Sequence, residues 1–159
     1  MQSKKHLKLK TQTMKKLLGL LFVVGLISSA FVSNKPETTS RLAMKDGIEF
    51  KKSTLGEAMA EAKKKGKLIF IDAYTEWCGP CKKMAATSFM DPEVAKIYNS
   101  KFINLKIEME KSADGPIVAQ KYKVYAYPTM LYIDGDGNVV KTVVGYQTAE
   151  QLIATAKSL

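Results

Sequence analysis

The chain is predicted to fold as an α/β domain with a central mixed sheet covered by helices on both faces, and three observations carry that reading. Leu68-Ile69-Phe70-Ile71 is a continuous apolar run of the kind that forms a central strand buried on both sides. Amphipathic helical stretches alternate with apolar runs through the middle of the chain. Two β-rich runs near the end are separated by Asp134-Gly135-Asp136-Gly137-Asn138, a hairpin turn by composition.

Taken in order, Thr54 followed by Glu57 makes a capping box. Leu55, Ala58, Met59 and Ala62 then share one face until Gly66 stops the helix. The apolar strand follows and leads into Asp72 and Tyr74. Thr75-Glu76-Trp77-Cys78-Gly79-Pro80-Cys81 breaks the strand and opens a second helix. Asp91-Pro92 reads as cap plus first residue of a third, with Val94, Ala95, Ile97 and Tyr98 inward. Phe102–Ile107 is the second strand, and Gly115-Pro116 starts a short helix expected to bury Ile117, Val118 and Tyr122. Thr129–Ile133 and Val139–Val144 form the hairpin, and Thr148 with Gln151 caps the last helix. A further strand is expected at Ile48–Phe50.

The chain has 159 residues and a formal charge of +10. Six of its 25 Lys and Arg, and none of its 15 Asp and Glu, fall within the first 30 residues. The excess is therefore concentrated in a leader, which argues against nucleic acid as a partner. That leader has the parts of an export signal: a basic stretch ending at Lys15-Lys16, the apolar run Leu17–Ala30, and Ser28 with Ala30 placed for cleavage after Ala30. Met14 makes an alternative start, and an uncleaved membrane anchor is the alternative fate. The expected organisation is a signal peptide over 1–30, a tether over 31–45 and one domain over 46–159, placed in the periplasm or secreted.

The chain has two cysteines and one histidine, His6, which lies in the leader. A structural zinc site needs four ligands, so no metal is expected. Asp134, Asp136 and Asn138 imitate the first ligands of a calcium loop, but Val139 stands where glycine is required and Gly145 where a bidentate acid is required. Cys-x-x-Cys at a helix start is instead a redox device. Cys78 at the N-cap meets unpaired N–H groups and the helix dipole, which favour the thiolate. Cys81, a turn further in, is the shielded resolving thiol. No cofactor beyond that dithiol is expected. Asp72, at the end of an apolar run, is a candidate proton carrier for Cys81.

Trp77-Cys78-Gly79-Pro80-Cys81 and Tyr127-Pro128-Thr129 resemble the active-site and cis-proline motifs of the thioredoxin family, and Asp72 matches that family's buried aspartate. The resemblance runs over about residues 46–159. Ser88–Val94 further resembles exported thioredoxin-like domains, including the C-terminal domain of the membrane thiol:disulfide interchange reductase. It implies a thioredoxin fold, a cis Pro128 packed on the disulfide, and a Tyr127 backbone free to pair with an extended substrate. Trp77, Gly79, Pro80, Tyr127, Pro128 and Thr129 are the implied substrate-binding residues, with Tyr74 a further candidate beside Trp77. The family's lysine near the aspartate falls at Asn104 when Leu105 and Ile107 are matched to buried positions, leaving Lys106 two residues away and Asp72 without an ion-pair partner.

The expected activity is reduction of protein disulfides by a monomer that takes electrons from a membrane thiol donor. The alternatives are a dithiol oxidase or isomerase, a non-catalytic peptide-binding module, and a dedicated factor that keeps cysteines reduced for cytochrome c assembly.

Overall fold

The computed structural model describes residues 47–159. The expected signal peptide, the tether and Asp46 lie outside the described residues.

Alternation along three strands builds two cores at once. Strands β1 (Leu68–Tyr74), β2 (Phe102–Glu108) and β3 (Thr129–Ile133) carry odd-numbered Ile69, Ile71, Ala73, Ile103, Leu105, Ile107, Leu131 and Ile133 to one face. There they meet α1 (Leu55–Lys65) and α4 (Gly115–Tyr122) through Leu55, Ala58, Ala62 and Val118. Even-numbered Phe70, Phe102, Met130 and Tyr132 face the other way, against α2 (Gly79–Ala86), α3 (Pro92–Lys101) and α5 (Ala149–Ser158). A run that is apolar at every position is therefore one strand serving two layers. With β4 (Val139–Val144) the sheet order is β2-β1-β3-β4, β1 and β2 running parallel and the other pairs antiparallel.

The helix boundaries follow their caps. Thr54 and Thr148 form capping boxes with Glu57 and Gln151, and Asp91 accepts from the N–H groups of Glu93 and Val94. Gly66 ends α1 in the left-handed conformation at φ 62°. The hairpin closes on Asp134, whose Oδ1 accepts from the backbone N–H of Asp136 and of Asn138 at 2.9 and 2.8 Å. The residues that imitate a calcium loop thus build a turn.

Two expectations require correction. Ile48–Phe50 is not a strand: the one isolated parallel bridge here falls just past it, Lys51 with Leu105. The Ile48 N–H donates to Phe89 O at 2.8 Å and the Glu49 N–H to Asn99 Oδ1 at 2.8 Å, so donors that would pair with β2 are spent elsewhere. Ile117 is exposed, because α4 directs Val118 inward and Tyr122 is only half-buried.

Candidate active site

The chain turns from β1 into α2 within a few residues, and the turn is held by the Cys78 N–H donating to Thr75 O at 3.2 Å. Cys78 is the N-cap of α2 and its Sγ accepts from the Cys81 N–H at 3.1 Å, while Pro80 occupies a first-turn position where no N–H is needed. The two cysteines are joined as a disulfide with Cα atoms 5.3 Å apart. In this bridged form both residues are buried, so the expected difference in access between Cys78 and Cys81 is not present. Gly79 and Pro80 beside them are exposed.

The peptide bond Tyr127-Pro128 is cis, as the resemblance implied. Pro128 and Thr129 are buried at the start of β3, where the Thr129 hydroxyl donates to Ala126 O at 2.7 Å and Pro128 O accepts from the Gly145 N–H at 2.8 Å. Trp77 is 67% exposed and meets Tyr127 edge to face, with centroids 5.9 Å apart. Its indole N–H points at the Glu110 carboxylate, 3.0 Å from either oxygen. Glu110 is placed by a turn after β2 in which the Glu108 carboxylate accepts from the N–H groups of Glu110 and Lys111. Tyr74 does not join this aromatic pair. It lies on Lys106 instead.

Asp72 is 1% exposed, and its Oδ2 is 2.9 Å from Lys106 Nζ. This corrects the expectation that Asp72 lacks an ion-pair partner. In the parallel ladder Asp72 is in register with Lys106, whereas Asn104 is opposite Phe70 and bonds to Asn99 and the N-terminal segment. Burial pushes the Asp72 carboxyl above its ordinary value, and the Lys106 charge pulls it back only in part. Asp72 Oδ1 has no hydrogen-bond partner among the described residues. A cavity of about 450 Å³ lies on the Cys81 side of the disulfide and is lined by Thr75, Cys81 and Lys106 among others. Lys106 and Glu110 were both missed as site residues. Lys106 carried a signal two positions from where it was sought, and Glu110 carried none.

A disulfide that caps a helix and sits at the carboxyl end of a central strand, with a cis proline leading the antiparallel neighbour, is the arrangement of a thiol:disulfide oxidoreductase. Residues 55–159 match the family described as the thioredoxin-like domain, and the chain belongs to it. Among curated relatives, the thiol:disulfide interchange protein DsbD of Colwellia psychrerythraea is 28% identical over 108 residues, 66% of this chain and 18% of that protein. The chain therefore spans only a small part of that relative's length. Thioredoxin of Pseudomonas aeruginosa is 38% identical over 86 residues, 54% of this chain and 73% of that one. Among solved structures, a candidate disulphide-isomerase from Bacteroides thetaiotaomicron is 43% identical with a TM-score of 0.63, covering 70% of this chain and 92% of that one.

Proposed function

We propose that the protein is an exported reductase of protein disulfides. The observation that carries this reading is Cys78 Sγ at the helix N-cap, already accepting from the Cys81 N–H. The same donor and the helix dipole stabilise negative charge on that sulfur once the pair is reduced. The Cys78 thiolate attacks one sulfur of a substrate disulfide, forming a mixed disulfide and releasing the other sulfur as a thiolate that takes up a proton. Cys81 gives up its proton, attacks Cys78 Sγ and expels the second substrate thiol. One substrate disulfide is thus reduced by two electrons as the Cys78–Cys81 disulfide forms.

Asp72 is the carrier for the Cys81 proton, and the affinity for protons that burial raises suits it to that exchange. Trp77, Gly79 and Pro80, with Tyr127, Pro128 and Thr129, form the surface that meets an extended polypeptide. The pair itself is the redox group, and a membrane thiol carrier restores the dithiol. The Gly-Pro spacer supports the reducing direction, the likeness to a thiol:disulfide interchange protein supports thiol–disulfide exchange, and the basic and apolar leader supports export. The protein is read as a monomer that acts in the periplasm or outside the cell.

The test is trapping with Cys81→Ala. Cellular proteins held on Cys78 and released by dithiothreitol are expected, together with insulin reduction by wild type that is lost in Cys78→Ser. Binding that survives Cys78→Ser without insulin reduction would leave a peptide-binding module. The relative described as a candidate disulphide-isomerase favours a second reading, isomerisation. Glutathione equilibration and refolding of a scrambled substrate separate the two.

A further inference from the structure

Lys106 is held by more than its carboxylate. Its Nζ stands 4.4 Å from the centroid of Tyr74 and 5.6 Å from those of Phe50 and Phe89, while bonding Asp72 Oδ2 at 2.9 Å. The three rings come from separate stretches: Tyr74 ends β1, Phe89 lies in the 3-10 turn Ser88–Met90, and Phe50 belongs to the segment that failed to form a strand. Phe50 is itself fixed, edge to face with Phe89 at 5.5 Å and near Phe70 at 6.2 Å. An ammonium within about 6 Å of an aromatic face is attracted by the ring quadrupole, most strongly where water is excluded. The Lys106 side chain is 25% exposed and the Asp72 side chain 1%, so the lysine covers the carboxylate.

We propose that Tyr74 and Phe50 are positioning residues for thiol exchange: with Phe89 they cage the Lys106 ammonium on Asp72 and so set the pH at which that carboxylate serves Cys81. The inference rests on the reading of Asp72 as the proton carrier. It also gives the N-terminal segment a part in the chemistry, since Phe50 reaches the site from outside the sheet. The other charged groups around Lys106 are Glu76 and Lys82 in the cavity it shares with Cys81. Lys51, Lys52, Glu57 and Asp114 line the groove on which Tyr74 and Lys106 also open, and Glu108 is in register with Tyr74. None of these comes within ion-pair distance of Lys106, for which Asp72 is the one such partner among the described residues.

The experiment uses Tyr74→Leu, Phe50→Leu, Tyr74→Phe and Asp72→Asn in the full chain. Single-turnover resolution of a mixed disulfide is followed against pH, and the Asp72 carboxyl is titrated by carbon NMR. Each leucine variant is expected to move both midpoints upward by about half a pH unit, because a lysine freed from its rings spends less time on Asp72. Tyr74→Phe keeps the ring and is expected to overlay wild type. Wild-type midpoints in the leucine variants would overturn the cage, as would a Tyr74→Phe shift as large as that of Tyr74→Leu. If Tyr74→Leu does not fold, Phe50→Leu decides alone. An Asp72→Asn profile that matches wild type sinks the proton-carrier reading itself, and the NMR midpoint then still reports whether the rings hold Lys106.

Discussion

Lys106 Nζ lies 2.9 Å from Asp72 Oδ2 because the two residues are direct register partners across the parallel β1–β2 ladder. The pair is asymmetric, with a carboxylate sealed from water and an ammonium that still reaches it. Removing a charge from water costs more than one partial partner returns, and one carboxylate oxygen, Oδ1, has no hydrogen-bond partner among the described residues. The raised proton affinity of Asp72 follows from that imbalance.

A stability consequence has a definite sign. Between the ordinary carboxylate range and the raised native value, the folded protein keeps a proton that the unfolded chain has lost. Stability therefore declines as pH rises through that window and stays reduced above it. Asp72→Asn is expected to melt a few degrees above wild type at about pH 8, with the difference closing as pH falls back through that window towards about 4. Thermal melts of the oxidised proteins across pH check this, and a difference independent of pH would refute it. The same variant is expected to resolve mixed disulfides more slowly near neutral pH.

In the reduced protein Cys78 is expected to be alkylated by iodoacetamide at least about fivefold faster than a free cysteine near pH 7, because the helix N-terminus enriches its thiolate. Cys81 is expected to react far more slowly. Mass spectrometry of singly alkylated protein distinguishes the two sulfurs.

Trp77 is the chain's one tryptophan, so its fluorescence reports directly on the site. Glu110→Ala removes the acceptor for its indole N–H. The emission should shift, and insulin reduction should fall about two- to fivefold, the value of one modest hydrogen bond. Both side chains are exposed, so stability should stay within about 0.5 kcal/mol.

Tyr98 and Tyr132 meet hydroxyl to hydroxyl at 2.6 Å in the core, and Tyr98 OH also reaches Leu152 O at 3.1 Å. Burial pushes Tyr98 up to about 12, so it stays protonated and able to donate. Tyr132→Phe leaves Tyr98 its carbonyl partner and should cost about 1 kcal/mol, whereas Tyr98→Phe orphans the Tyr132 hydroxyl and should cost about 1–3 kcal/mol. Urea denaturation tests that order, and activity in the folded variants should not follow it.

The candidate site was legible where its chemistry is local. Cys-Gly-Pro-Cys at a strand-to-helix junction announces both the capping thiol and its resolving partner, since an N-cap and a position one turn on are defined by spacing alone. Tyr127-Pro128-Thr129 was legible through resemblance, and the structure bears out its cis bond. Lys106 was not, for a specific reason. Side chains alternate with period two, so sliding β2 by two residues puts the same face inward, and periodicity cannot tell Asn104 from Lys106. Glu110 and Phe50 lay beyond any periodic signal because loop geometry brings them to Trp77 and Lys106.

By itself the sequence determined the layered α/β fold, the helix caps, the hairpin and the dithiol, because propensity, capping and burial pattern act between near neighbours in the chain. Tertiary structure decided the register that pairs Asp72 with Lys106, the diversion of Ile48–Phe50 from the sheet edge, and the rings that surround the lysine. Those depend on how separate segments share limited space and hydrogen bonds, which no local pattern encodes.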